Sequence, residues 1–185
     1  MFLYIYNIFQ IHRERRMYLL FIFGYFFHYI QEHIGMRNVW DGVEYYAEVH
    51  TSFWNSLIHT MFMPWTMLGM YLWLPALLRL NADQAQVLKD SCMTFYFGLY
   101  CRISLITTFF VCMLYYYPYK YSSDYYRKHS PGHLLKVGLS CSVIALLIQE
   151  VFGHYIGGDA PSRVEAIPNA ILYAPFYSIS HFRIL

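Results

Sequence analysis

Phe53-Trp54-Asn55-Ser56-Leu57-Ile58-His59-Thr60-Met61-Phe62-Met63-Pro64-Trp65 opens a run that reaches Leu78 without a formal charge and is closed by Arg79. Such a run exceeds the roughly 20 apolar residues that carry a helix across a bilayer. Ser52 is the expected N-cap, and Pro64 and Pro75 are expected to kink the helix or shorten its regular part. His50, Asn55 and His59 stand at the entrance of the run. Imidazoles at the edge of a membrane-like segment are costly unless paired, wet or bound to something. A second stretch, Gln149-Glu150-Val151-Phe152-Gly153-His154, brings a carboxamide, a carboxylate and a third imidazole to the end of another apolar run.

Composition agrees with a membrane reading. The 185 residues are 58% hydrophobic and 13% charged, against about 25% charged in soluble domains. A net charge of +2 gives no basic field for nucleic acid. The expected fold is all-α, a polytopic helical membrane protein with three to four transmembrane helices and five at most. The firm spans fall at about 53–78, 91–117 and 134–156, with 167–182 as a further apolar run broken by prolines. Residues 1–40 read as an amphipathic or interfacial N-terminal extension, and 41–185 as the helical membrane domain. Cys92, Cys101, Cys112 and Cys141 form no Cys-x-x-Cys pair and read as packing residues. With 91–117 taken as a single span, basic residues divide nine against three, which places both termini on the cytosolic or matrix side.

The histidines need convergence to do chemistry. His50 and His59 are nine apart and would point to opposite faces of one straight helix, so they meet only if His50 precedes the helix. Asn55 and His59 share a face at a spacing of four, where Asn55 could set the imidazole tautomer. Glu150 and His154 share a face in the same way. Imidazoles with a carboxylate and open positions are what a non-haem Fe(II) oxygen-activating site requires. The plainer reading makes the histidines interfacial or hydrogen-bonded structural groups and pairs Glu150 with Arg102 inside the bundle.

Read as a whole, the order of these residues resembles a known family. His50, Asn55, His59 and Pro64, then Gln149-x3-Gly153-His154, Pro161 and Ala174-Pro175, are similar to the small polytopic membrane proteins that include the yeast 2-hydroxy fatty acid dioxygenase. The similarity covers roughly residues 41–78 and 145–182. It implies an Fe(II)-dependent enzyme of the endoplasmic reticulum that uses O₂ to shorten 2-hydroxy fatty acids by one carbon. Carried over, the iron ligands are His50, His59 and His154, with Asn55 and Glu150 as supporting groups or a ligand.

The chain also departs from that pattern. Thr51 stands where the family has a second adjacent histidine, and Ser52-Phe53 where it has Asn-Pro. An acidic residue soon after Gly-His is missing, and a later family glutamate falls at His181, a substitute ligand if one is needed. A single span at 91–117 would put His59 and His154 on opposite sides of the membrane unless the chain broke near Arg102. These departures lead to an expected metal-free, non-catalytic accessory subunit of an organellar membrane complex, mitochondrial inner membrane or endoplasmic reticulum. Its expected partners are other membrane-protein subunits and lipids. The alternative is an active Fe(II) dioxygenase.

Overall fold

The computed structural model describes residues 47, 48, 50–100, 104–160, 173, 174 and 177. Their regular elements are all helical. Helix α1 is Phe53–Leu77, α2 Ala82–Tyr100, α3 Leu105–Lys128 and α4 Pro131–Leu147; a π-helical turn, Ile148–Gly153, leads into the short α5, His154–Gly157. The rod Pro131–Gly157 is long and apolar enough to cross a membrane, and among the described residues it alone meets that test. The N-terminal extension, Arg102 and His181 lie outside the described residues.

α1 is the axis of the bundle and touches the other three long helices. It runs antiparallel to α4, and glycines set how closely the two approach. A Cβ on Gly138 would lie 2.6 Å from the Trp73 backbone nitrogen, and one on Gly69 would lie 2.5 Å from the Gly138 carbonyl oxygen. Small residues at these positions let the two backbones come into direct contact. Polar bonds lock the register: the Trp73 indole donates to Ser142 Oγ at 3.2 Å, and Ser142 Oγ donates to the Thr66 carbonyl at 3.3 Å.

The single span expected at 91–117 is replaced by two antiparallel helices. α2 ends at Tyr100 and α3 begins after Ser104. Ser104 has extended backbone angles, and its side chain accepts from the Thr107 N–H, so a proper N-cap starts a new helix inside the apolar run. Lys89 Nζ donates to Ser123 Oγ at 2.9 Å, and Gln86 Nε2 to the Tyr119 hydroxyl at 2.6 Å, which fixes the hairpin pairing. At its other end α2 opens with a reciprocal cap between Asn81 and Gln84.

The break changes the topology. The α1–α2 turn and the α3–α4 turn lie at the same end of the bundle, tied by the Tyr126 hydroxyl donating to the Leu80 carbonyl at 2.8 Å. Arg79, Lys89, Lys120, Arg127, Lys128 and Lys136 therefore gather toward one end, not on alternate sides. The starts of α1 and α3 and the end of α4 occupy the other end. Pro64 and Pro75 sit inside α1 without ending it. Cys92, Cys112 and Cys141 are free thiols.

Candidate metal centre

At the end opposite the charged turns, His50, His59 and His154 come together. Ring centroids are 4.6 Å apart for His50–His59, 4.8 Å for His50–His154 and 5.8 Å for His59–His154. All three are at least 97% buried. One ring nitrogen from each lies within 4.8 Å of the others. Imidazoles sharing an ion at bonds near 2.0–2.1 Å would stand about 3–4 Å apart. The ring nitrogens therefore stand at that spacing or somewhat beyond it.

Each histidine arrives by a separate device. His50 precedes α1, as its spacing from His59 demanded. Its backbone is held by the Tyr177 hydroxyl, which donates to the His50 carbonyl at 2.9 Å. His59 lies on the buried face of α1. His154 follows the π turn, and that winding matters: in an α-helix Gln149 and His154, five apart, would diverge by about 140°, whereas five residues make little more than one π turn. Both side chains consequently face α1.

Gln149 takes the role expected of Asn55. Its amide donates to Thr66 Oγ1 at 2.9 Å and to the Ala145 carbonyl at 3.0 Å. Its carboxamide oxygen remains to accept from the His59 ring, with which the Gln149 side chain is hydrogen-bonded. Asn55 instead turns away and donates to Asp159 Oδ2 at 2.8 Å. Glu150 Oε2 lies 3.6 Å from His154 Nε2, at ion-pair range, and its side chain is 37% exposed. It spans from the imidazole to the exterior.

Asp159 is the residue the sequence reading passed over. Its carboxylate accepts from Thr51 Oγ1 at 2.6 Å, from the Ser52 N–H at 3.1 Å, and from Asn55. Ser52 occupies the N-cap position of α1 but makes no side-chain cap bond; the Asp159 carboxylate takes the N–H groups of Thr51 and Ser52 just ahead of the first turn, where its charge is favourable for a helix N-terminus. Burial alone would raise this carboxyl, yet the donors from Thr51, Asn55 and Ser52 outweigh it and hold it below the usual carboxylate range. The available signal was an acid shortly beyond His154, facing an N-cap that needed an acceptor. Glycines allow the clamp to close: a Cβ on Gly153 would sit 2.7 Å from Asn55 Oδ1, and one on Gly157 2.8 Å from Asn55 Cβ.

Three clustered imidazoles, shut from solvent and with their surroundings fixed, are a donor set suited to a divalent first-row metal. No family model, curated protein or solved structure matches the chain.

Proposed function

We propose that the chain is a divergent relative of the 2-hydroxy fatty acid dioxygenase-like membrane proteins, with His50, His59 and His154 as the ligands of one Fe(II). The observation that carries this reading is the meeting of three buried imidazoles, two from the start of α1 and one from the far end of the α4 rod, about 95 residues beyond His59 in sequence. Iron bound there would keep open positions and supply the one-electron chemistry that O₂ needs. The chain's own groups do the rest. Gln149 fixes the tautomer of His59. Asp159 locks the start of α1 to the end of α5, so that His50 and His154 stay in register. Glu150, 3.6 Å from His154 Nε2, holds the orientation of that ring. Burial keeps bulk water from the reacting atoms, as oxidation of a fatty acyl substrate requires. The bundle crosses an organellar membrane as a polytopic protein, with lipid-facing outer surfaces such as Phe109, Phe110 and Met113.

Metal analysis of the purified full chain tests the proposal. Iron at one per chain is expected, lost in His59→Ala and His154→Ala, together with O₂-dependent shortening of a 2-hydroxy fatty acid that both variants abolish. A stable, metal-free protein that cannot be loaded with Fe(II) under anaerobic conditions would favour the accessory-subunit reading instead.

A further inference from the structure

A second feature lies on the far side of α1. Between α1 and α3 runs a groove of about 740 Å³, within the size range of ligand sites. Met61, Trp65 and Leu68 form one wall, and Leu114, Tyr117 and Tyr121 the other. At 100° per residue the α1 wall lies about 180–240° around the helix from His59, so the groove is separate from the histidine centre. Trp65, Tyr117 and Tyr121 are exposed. Leu68 and Leu114 pack partly on the core behind the groove, whereas Met61, Trp65, Tyr117 and Tyr121 stay outside it.

One end of the groove carries charge. Lys120 and Asp124 line it, one helical turn apart on α3, and are exposed. Among the described residues neither makes a hydrogen bond or an ion pair. Residues four apart on a helix are ordinarily placed to pair; here the two form no ion pair with each other, and although Asp124 also acts on the Lys89 ammonium, both charges stand exposed at the mouth of an apolar trough. The trough runs away from them toward Met61 and Leu114, which suits a chain lying along the helices with its polar end at the charged turns.

We infer that this groove binds a phosphoethanolamine phospholipid. One acyl chain lies between α1 and α3, the phosphate meets Lys120, and the primary ammonium meets Asp124. Charge complementarity selects the headgroup. A purely anionic headgroup satisfies Lys120 but is repelled by Asp124. A quaternary choline ammonium offers the carboxylate no N–H donor, whereas a primary ammonium offers three. The inference rests on the membrane reading of the bundle and not on the metal.

The test is lipid retention. The full chain is reconstituted in bilayers holding equal parts of phosphatidylethanolamine, phosphatidylcholine and phosphatidylglycerol with matched acyl chains. It is then extracted gently and its bound lipid measured by native mass spectrometry. Phosphatidylethanolamine should be enriched about tenfold over either competitor. Asp124→Asn should remove the preference over phosphatidylcholine, and Lys120→Gln should lower retention of every phospholipid, with helical content unchanged in both. Equal retention of the three lipids, preference for phosphatidylglycerol, a preference that Asp124→Asn leaves intact, or occupation of the groove by a second copy of the chain would each overturn the inference. A chain that never enters the bilayer removes the membrane reading and this inference together, whereas one that inserts without lipid preference removes this inference alone.

Discussion

Asp159 shows what a single residue contributes when it joins two distant segments. Its carboxylate serves Thr51, Ser52 and Asn55 at once, so Asp159→Asn replaces an ionised acceptor with a group that must also place an NH₂. Because Asp159 bonds no ligand directly, metal affinity should fall by no more than about tenfold, the low end for partners of metal ligands, as read by competition with a metal-binding dye. The pH dependence has a definite sign. Because the folded-state value is lowered, the clamp contributes fully above the unfolded-chain value and is lost as pH falls through the lower folded one. Unfolding followed below about pH 4 should show a loss of stability in the wild type that Asp159→Asn lacks. Gly153→Ala makes a complementary case. The new methyl would strike Asn55 Oδ1, costing about 1–3 kcal/mol by overpacking and spreading the histidines. Arg79 behaves oppositely. It holds φ at 53° within a Schellman turn, where Arg79 N–H donates to the Ala76 carbonyl and Leu80 N–H to the Pro75 carbonyl. Arg79→Gly should therefore raise stability by about 1 kcal/mol in a thermal melt. The sequence exposed His50, His59 and His154 as candidates because imidazoles beside apolar runs are conspicuous. It hid Asp159, because one acid in a short loop looks the same whether it caps a distant helix or faces solvent.

At the scale of the elements, the runs at 53–78 and 134–156 were readable as long helices because the order of their residues keeps charge sparse over more than twenty positions. The α2–α3 break was not, since Ser104 is one small polar residue within an apolar stretch and only its extended backbone and the Thr107 bond mark it as a cap. The π turn was equally hidden: Ile148–Gly153 carries no Pro, and hydrophobic periodicity does not report one extra residue per turn. A π turn amounts to one residue inserted in an α-helix, and this gives an indel test. Val151 is exposed. Deleting it should let the segment relax to α winding, leaving Gln149 and His154 four apart on one face, with metal loading retained. Inserting an alanine after Val151 should turn His154 by about 100° and abolish loading. If the deletion destroys binding as thoroughly as the insertion, the π turn does more than absorb a residue.

For the whole molecule, the decisive quantity is which turns share an end of the bundle. Counting one span at 91–117 placed residues 79–90 and 118–133 on opposite sides, and with them His59 and His154; that arithmetic argued for an incomplete site. With α2 and α3 as an antiparallel hairpin, both turns fall at one end and the histidines converge at the other. Departures such as Thr51 for a second histidine therefore weigh less than they do on a linear reading, because the three remaining imidazoles already face one another. The hairpin is also consistent with its charges. Lys89, Asp90, Lys120 and Asp124 sit near its open end, while its apolar tip, Tyr100 and Leu105, points toward the histidine end. Single cysteines at Asn81 and Ser130, in a chain whose native cysteines are replaced by serine or alanine, should react with a membrane-impermeant maleimide from the same face of sealed vesicles. A cysteine at Ala160, beside the clamp, should react from the opposite face. Labelling of Asn81 and Ser130 from opposite faces would restore three simple spans, separate His59 from His154, and remove the basis for a metal centre.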